Sequence, residues 1–128
     1  MAHRSRLAGF IIDCHDAELG EASAFWSRAL GLPVTDPDDG GIGRYARLSP
    51  GPGELVIEVQ RVEHASGVHL DIETDDIEAE VQRLEALGAT RVAFVRERWW
   101  VMQAPTGQRF CVVRPQHAEW GPGVNEWE

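Results

Sequence analysis

The chain runs through one plan twice. Residues 11–32, IIDCHDAELGEASAFWSRALGL, and residues 69–90, HLDIETDDIEAEVQRLEALGAT, each place a short apolar strand before an Asp (Asp13, Asp71). An acidic turn follows in both, and then a helix that closes in Ala-Leu-Gly. The two Asp stand 58 residues apart and the closing glycines, Gly31 and Gly88, stand 57 apart. Two copies are too few for a solenoid, whose units bury their apolar faces only by stacking on several neighbours. The pattern therefore predicts two tandem units of one topology.

The second helix is the plainer of the two. Asp75 and Glu78 have capping-box spacing, in which an Asp oxygen accepts a backbone N–H of the first turn and the Glu reaches back. Ile77, Val81, Leu84 and Leu87 follow at helical steps and form one apolar stripe. Gly88 stands where a left-handed residue ends a helix. In the first unit Leu19, Ala22, Phe25, Trp26, Ala29 and Leu30 mark the buried face, and Gly31 with Pro33 stops the helix. Beyond each helix the period shortens to that of strands separated by Gly/Pro turns. The first unit offers LPVTD, the turn PDDGGIG, RYARLS, the turn PGPG and ELVIEVQRV. The second offers TRVAFVR, WWVMQA, the turn PTGQ and RFCVVR. Each unit thus reads strand, helix and three strands, with module one at about 7–62 and module two at about 67–115 of a single domain spanning 1–128. The tail, 116–128, has no periodicity, and its Trp120 and Trp127 read as covers for an apolar surface.

Composition narrows the function classes. The formal charge is −9, and neutralising phosphates needs a basic patch, so nucleic-acid binding is excluded. All twelve bases are Arg, which rules out lysine Schiff-base chemistry. Cys14 and Cys111 lie far apart in apolar strands and read as reduced, buried thiols. No run of about 18 apolar residues is present, so no membrane span is expected. The N-terminus does not read as a signal peptide, because its apolar stretch is short and runs into Asp13; a cytoplasmic location is expected. His3, His64 and His117 fall in terminal or loop segments and read as solvated.

The tandem βαβββ plan, with FWSRALGL, VHLDIETDDIEAEVQRLEALGA and WWVMQAPTGQRFCVV, resembles the glyoxalase-like branch of the vicinal oxygen chelate superfamily, also named for glyoxalase, bleomycin resistance and dioxygenase. The resemblance covers residues 7 to 115, and Ala104 departs from it where an acid usually opens the Pro-x-Gly turn. It implies an α+β fold in which the two modules form a curved, cup-like mixed sheet with the helices outside. It implies a homodimer as well. The superfamily spans isomerases, epimerases, ring-cleaving dioxygenases, thiol transferases and drug-sequestering proteins, and the fold does not choose among them.

Strand alternation assigns faces within that frame. Val68, Leu70 and Ile72 share the side that meets the helices, and His69, Asp71 and Glu73 share the concave side. Leu55, Ile57 and Val59 pack toward the helices, opposite Glu58 and Gln60. Gly9, Ile11 and Asp13 oppose Phe10, Ile12 and Cys14; Arg109, Cys111 and Val113 oppose Phe110 and Val112. Of Trp99 and Trp100, one faces the concavity and the other the helices. Metal-using relatives place one ligand on the first and last strand of each unit. Those positions fall here at about Gly9, which has no side chain, and on Glu58, His69 and Cys111. Three readings stay open: a Glu58/His69/Cys111 set holding Zn, Ni, Fe or Mn, a set in which Asp13 or His15 replaces the missing first ligand, or no metal at all.

The leading expectation is a glyoxalase-like small-molecule-binding protein without a complete metal site or other cofactor. Its ligand would be lined by Trp99, Trp100, Asp13, Arg44 and Cys111. The second is a lyase or isomerase in which His69 and Glu58 are catalytic, with or without a metal. The third is a dimeric interaction module.

Overall fold

A computed structural model describes residues 2–48, 55–116, 119–121 and 123–128. The PGPG turn and His117 lie outside the described residues. The elements run β1 (His3–His15), α1 (Leu19–Leu30), β2 (Val34–Asp36), β3 (Tyr45–Leu48), β4 (Val56–Val62), β5 (Gly67–Thr74), α2 (Ile77–Ala86), β6 (Thr90–Val95), β7 (Trp99–Gln103), β8 (Arg109–Val113) and β9 (Asn125–Trp127). The strand, helix and three strands expected of each module are all present, and the α+β class holds. Among the described residues no helix is long and apolar enough to cross a membrane.

The chain divides into two compact units. The first-half unit comprises Gly9–Val68, and the second-half unit joins Met1–Ala8 to His69–Glu128, so that β1 contributes to both.

In the first-half unit the strand order is β2-β3-β4-β1, with β4 parallel to β1 and the other neighbours antiparallel. The parallel pair forces a crossover, and α1 supplies part of it, packing on β3 and β4. Glu18 caps α1, accepting N–H bonds from Gly20 at 3.1 Å and Glu21 at 2.8 Å. Those two bonds, the Glu21 contact foremost, pull the Glu18 carboxyl below its ordinary value. The helix ends at Gly31, whose φ of 69° suits a residue without Cβ. Ala46, Leu48 and Val59 are fully buried, but the expected α1 stripe is only partly covered: Phe25 is 61% and Leu30 46% exposed, and Ser23 is the buried residue of the helix. Burial raises the Cys14 thiol, against a hydrogen bond from Trp26 that lowers it. Neither cysteine is in a disulfide.

In the second-half unit β5 and β8 are parallel, β7 and β6 continue antiparallel, and β9 lies antiparallel to the start of β1. Helix α2 packs over β6, β7 and β8. Its core is Val81, Leu84, Ala89, Met102 and Val112, with Ile72, Ile77, Trp100 and Phe110 against it. Leu87, expected in the stripe, is 66% exposed. The N-cap is Asp76, which accepts from Ala79 N at 3.1 Å, and not Asp75, whose Oδ1 accepts instead from Arg4 N on β1 at 2.8 Å. Adjacent Asp residues offer the same chemistry, and a strand neighbour that the local sequence does not reveal claims one of them.

Two terminal expectations are corrected. His3 is 7% exposed, not solvated, and its Nε2 lies 2.8 Å from Oε1 of the fully buried Glu80. Arg83 binds the same carboxylate with Nε and Nη2, both at 2.8 Å. Burial raises the Glu80 carboxyl, but the bonds from Arg83, His3 and Ser5 outweigh it, and the net shift is downward. The tail is not wholly irregular: β9 pairs His3 with Trp127, whose Nε1 donates to Ser5 Oγ at 2.8 Å while the Arg83 guanidinium sits 3.9 Å above its ring.

Candidate functional site

In each unit the helix covers one sheet face, and polar side chains alternate onto the other. On the second-half unit, Trp100, Val112 and Ile72 point to α2. The register Asp71↔Cys111↔Val101 then sets those three residues, with His69 and Trp99, on the opposite face. Gln103 and Arg109 form the next row there, joined by an Arg109 Nε to Gln103 Oε1 hydrogen bond of 3.2 Å.

The centre of this face is a three-residue cluster. One ligand atom each from His69, Asp71 and Cys111 lies within 4.8 Å of the others, and all three residues are half-buried. His69 Nε2 stands 3.5 Å from Asp71 Oδ1. That separation is longer than a good N–H···O bond of about 2.7–3.2 Å. It is close to the spacing of about 3.4 Å between two ligands held about 2.0–2.2 Å from one tetrahedral ion. Asp71 Oδ1 is buried and accepts no hydrogen bond among the described residues, a cost that a cation or a ligand donor would remove. Imidazole, carboxylate and thiolate are all donors for Zn²⁺ and its first-row neighbours, and three protein donors are what a catalytic zinc keeps. The residues present fit a divalent metal. At the end of β5, Glu73 is fully buried beside Arg6 at 3.5 Å and accepts from Gln116 N at 3.2 Å, which braces the strand that carries His69 and Asp71.

Of the expected metal set, His69 and Cys111 come together within this unit, and Asp71 stands third with them. Alternation sets Asp71 on the same face of β5 as His69. What the sequence lacked was the β5/β8 register that sets it opposite Cys111. Trp99 shares the face of the cluster; Trp100 does not, being stacked on Phe94 at 5.0 Å with Arg91 over its ring.

Glu58 and Asp13 belong to the first-half unit. There Ile11, Glu58 and Arg47 form one cross-strand row, and Asp13, Gln60 and Tyr45 form the next. Glu58 is 9% and Asp13 6% exposed. Gln60 Nε2 donates to Tyr45 Oη at 3.3 Å. Arg44 is exposed at the entry to β3, and His15 is exposed, its Nδ1 2.7 Å from the His64 carbonyl. Gly9 carries no ligand for a steric reason: a Cβ there would lie 1.7 Å from the Val56 carbonyl oxygen across the strand pair. A surface cleft of about 620 Å³ in this unit is lined by Asp16, Glu18, Asp38 and Arg61, none of them an expected site residue. The Glu18 carboxylate already occupies the helix N-terminus there, accepting from the Gly20 and Glu21 N–H groups.

Comparison with known proteins bears on the fold and the family. No curated protein sequence gives a significant match. Among solved structures, a hypothetical protein from Bacillus halodurans C-125 superposes with a TM-score of 0.65 at 16% identity, covering 90% of this chain and 97% of its own. A methylmalonyl-CoA epimerase in complex with methylmalonyl-CoA and NH4+ gives 0.63 at 18% identity, over 92% of this chain and 99% of that one. An extradiol ring-cleaving dioxygenase from B. fuscum gives 0.57 at 16% identity, this chain spanning 34% of its length. These identities establish a shared fold. The family of the glyoxalase-like domain matches residues 9–113, nearly the whole chain, and this protein belongs to that family.

Proposed function

We propose that the chain binds a small oxygen-bearing molecule on the open face of its second-half unit, through a divalent metal held by His69, Asp71 and Cys111, and acts as a lyase or isomerase. The observation that carries this reading is the cluster of three donor atoms within 4.8 Å, together with the buried Oδ1 of Asp71, which accepts no hydrogen bond among the described residues. A divalent ion bound there supplies Lewis acidity toward a substrate oxygen. The chain's own residues do the rest. Strands β5 and β8, paired in parallel, fix the three donors on rigid backbone rather than on loops. Val101, beside Cys111, and Trp99, one row along the same strand, border the cluster with apolar surface. An epimerase on this fold supports the isomerase side of the class without naming the reaction.

A metal-free binding protein is the second reading, favoured by the steric exclusion of any ligand at Gly9. His69 and Asp71 would then bind the molecule directly. Elemental analysis of protein purified without a His-tag or chelator separates the two. Near-stoichiometric metal that is lost in His69→Ala and Asp71→Asn supports the metal centre. Protein that arrives metal-free and takes up no added Zn²⁺, Ni²⁺, Mn²⁺ or Fe²⁺ leaves the direct-binding reading.

A further inference from the structure

The open face of the second-half unit is graded in polarity, and the gradient specifies what its ligand looks like. Strand register divides the face into rows about 7 Å apart, two residues at about 3.4 Å each. Cys111 and Val101 form the middle row with Asp71, and His69, two residues before Asp71 on the parallel strand, lies toward the Arg109 row and reaches the same cluster. On one side lies the row of Arg109 and Gln103. On the other lies Trp99, whose cross-strand neighbour on β6 is Val95.

The polar row is oriented. Gln103 Oε1 accepts the Nε–H of Arg109, and that bond occupies one edge of the guanidinium. The other edge, with its two terminal nitrogens, makes no hydrogen bond among the described residues, and two parallel N–H donors match a carboxylate bidentately. Among the described residues Arg109 makes no ion pair, although the chain carries 21 acidic residues. A cation held by a neutral amide, in no ion pair among the described residues, is placed for an acid that arrives from outside. The opposite end offers an indole and a valine, which suit a flat apolar group.

We infer that the ligand is an amphipathic carboxylic acid, its carboxylate end-on at Arg109, its oxygen function at the His69/Asp71/Cys111 cluster and its planar apolar end against Trp99. This rests on the cluster being the binding centre.

The probe pair is 4-oxo-4-phenylbutanoate and its primary amide, which differ in charge and scarcely in shape. Binding is followed by titration calorimetry and by amide chemical shifts on β7 and β8, with wild type, Arg109→Gln and His69→Ala. The acid is expected to bind wild type at least about 10-fold more tightly than the amide, as loss of a charge-assisted bidentate contact implies. Arg109→Gln should bring the acid down to the amide's affinity and leave metal uptake unchanged. Equal affinities for acid and amide, no binding of either, or a preference that survives Arg109→Gln each overturns the inference. Metal uptake tells the two failures apart. If wild type loads metal and His69→Ala does not, the cluster stands and only the carboxylate assignment falls. If wild type loads none and His69→Ala leaves ligand binding intact, the centre itself is misplaced.

Discussion

The two halves of the chain are copies of one plan, yet their open faces carry different chemistry. The offset of 58 that lays Asp71 on Asp13 lays His69 on Ile11. In the parallel pair of each unit the contrast repeats: Asp71 stands opposite Cys111, and Asp13 stands opposite Gln60. The second-half face therefore holds an imidazole, a carboxylate and a thiol, where the first-half face holds Ile11, Asp13 and Gln60. The helices differ in the same sense. Glu80 of α2 falls by that offset on Ala22 of α1, so a buried carboxylate with His3 and Arg83 around it exists in one copy only. A duplicated scaffold keeps its apolar alternation and its turns, because both copies need them to fold. The polar positions are under no such shared demand, and there the copies have diverged.

The largest effect should come from Glu80. Its carboxylate is fully buried, and Glu80→Ala strands His3 and Arg83 beside a cavity, a change that costs about 3–5 kcal/mol when a buried pair is broken. Urea denaturation of this variant should show that loss. Glu80→Gln, which keeps the shape and part of the hydrogen bonding, should lose less. If Glu80→Ala unfolds at the wild-type midpoint, the network does not distinguish the two helices in energy.

Next comes the contrast between the copies in metal affinity. Asp71→Asn and His69→Ala should each weaken metal uptake by more than about 100-fold, since even residues that only support a ligand typically change affinity about 10–100-fold. Asp13→Asn, at the matching position of the other copy, should leave uptake unchanged. Equal losses in Asp13→Asn and Asp71→Asn would mean that the chemistry is not confined to one half.

The sequence made much of this legible and hid the rest for identifiable reasons. The repeat, both helices, the succession of elements along each module and the strand faces that group His69 with Asp71 and Arg109 with Cys111 follow from periodicity, which is local. Asp71 needed the β5/β8 register, and His3 needed a partner 77 residues away, neither of which is written in neighbouring residues. The strand β9 is only three residues long, too short to show an alternation, and it is fixed by pairing with β1 and by the Trp127–Ser5 bond. The α1 stripe misled in the other direction. Phe25 and Leu30 obey the helical period yet stay exposed, because apolar spacing says which residues share a face and not what covers it.

The pH dependence of stability should carry the Glu80 signature with a definite sign. Its folded carboxyl lies below the ordinary value, so its contribution is complete above the usual Glu range, near about pH 4.3, and disappears as pH falls through the lowered folded value. Wild type should therefore lose stability more steeply than Glu80→Gln below about pH 4, and the two curves should run parallel near neutrality. The Glu78 carboxyl, lowered chiefly by its bond from Arg91, adds to the acid loss in both proteins alike and so cancels from the difference. Curves that stay parallel down to pH 2 would remove Glu80 from the acid transition.

The smallest effect is expected at Phe25, and it sharpens the comparison of the two helices. Leu84→Ala in α2 removes a side chain that is 8% exposed and should cost about 2–5 kcal/mol, the range for a buried Leu. Phe25 in α1 is 61% exposed and touches Trp26 edge-on, with ring centroids 5.1 Å apart. Phe25→Ser gives up that one contact and little burial, so its cost should stay within about 1 kcal/mol. The measurement is thermal unfolding at two protein concentrations a hundredfold apart. An isolated chain shows the same small shift at both, because its unfolding does not depend on protein concentration. A shift that grows with concentration would mean that a second copy covers Phe25 and Leu30, since only an associated state depends on concentration in this way. That outcome would supply the homodimer that the family resemblance implies, and it would explain why α1 keeps an apolar stripe that its own sheet does not bury.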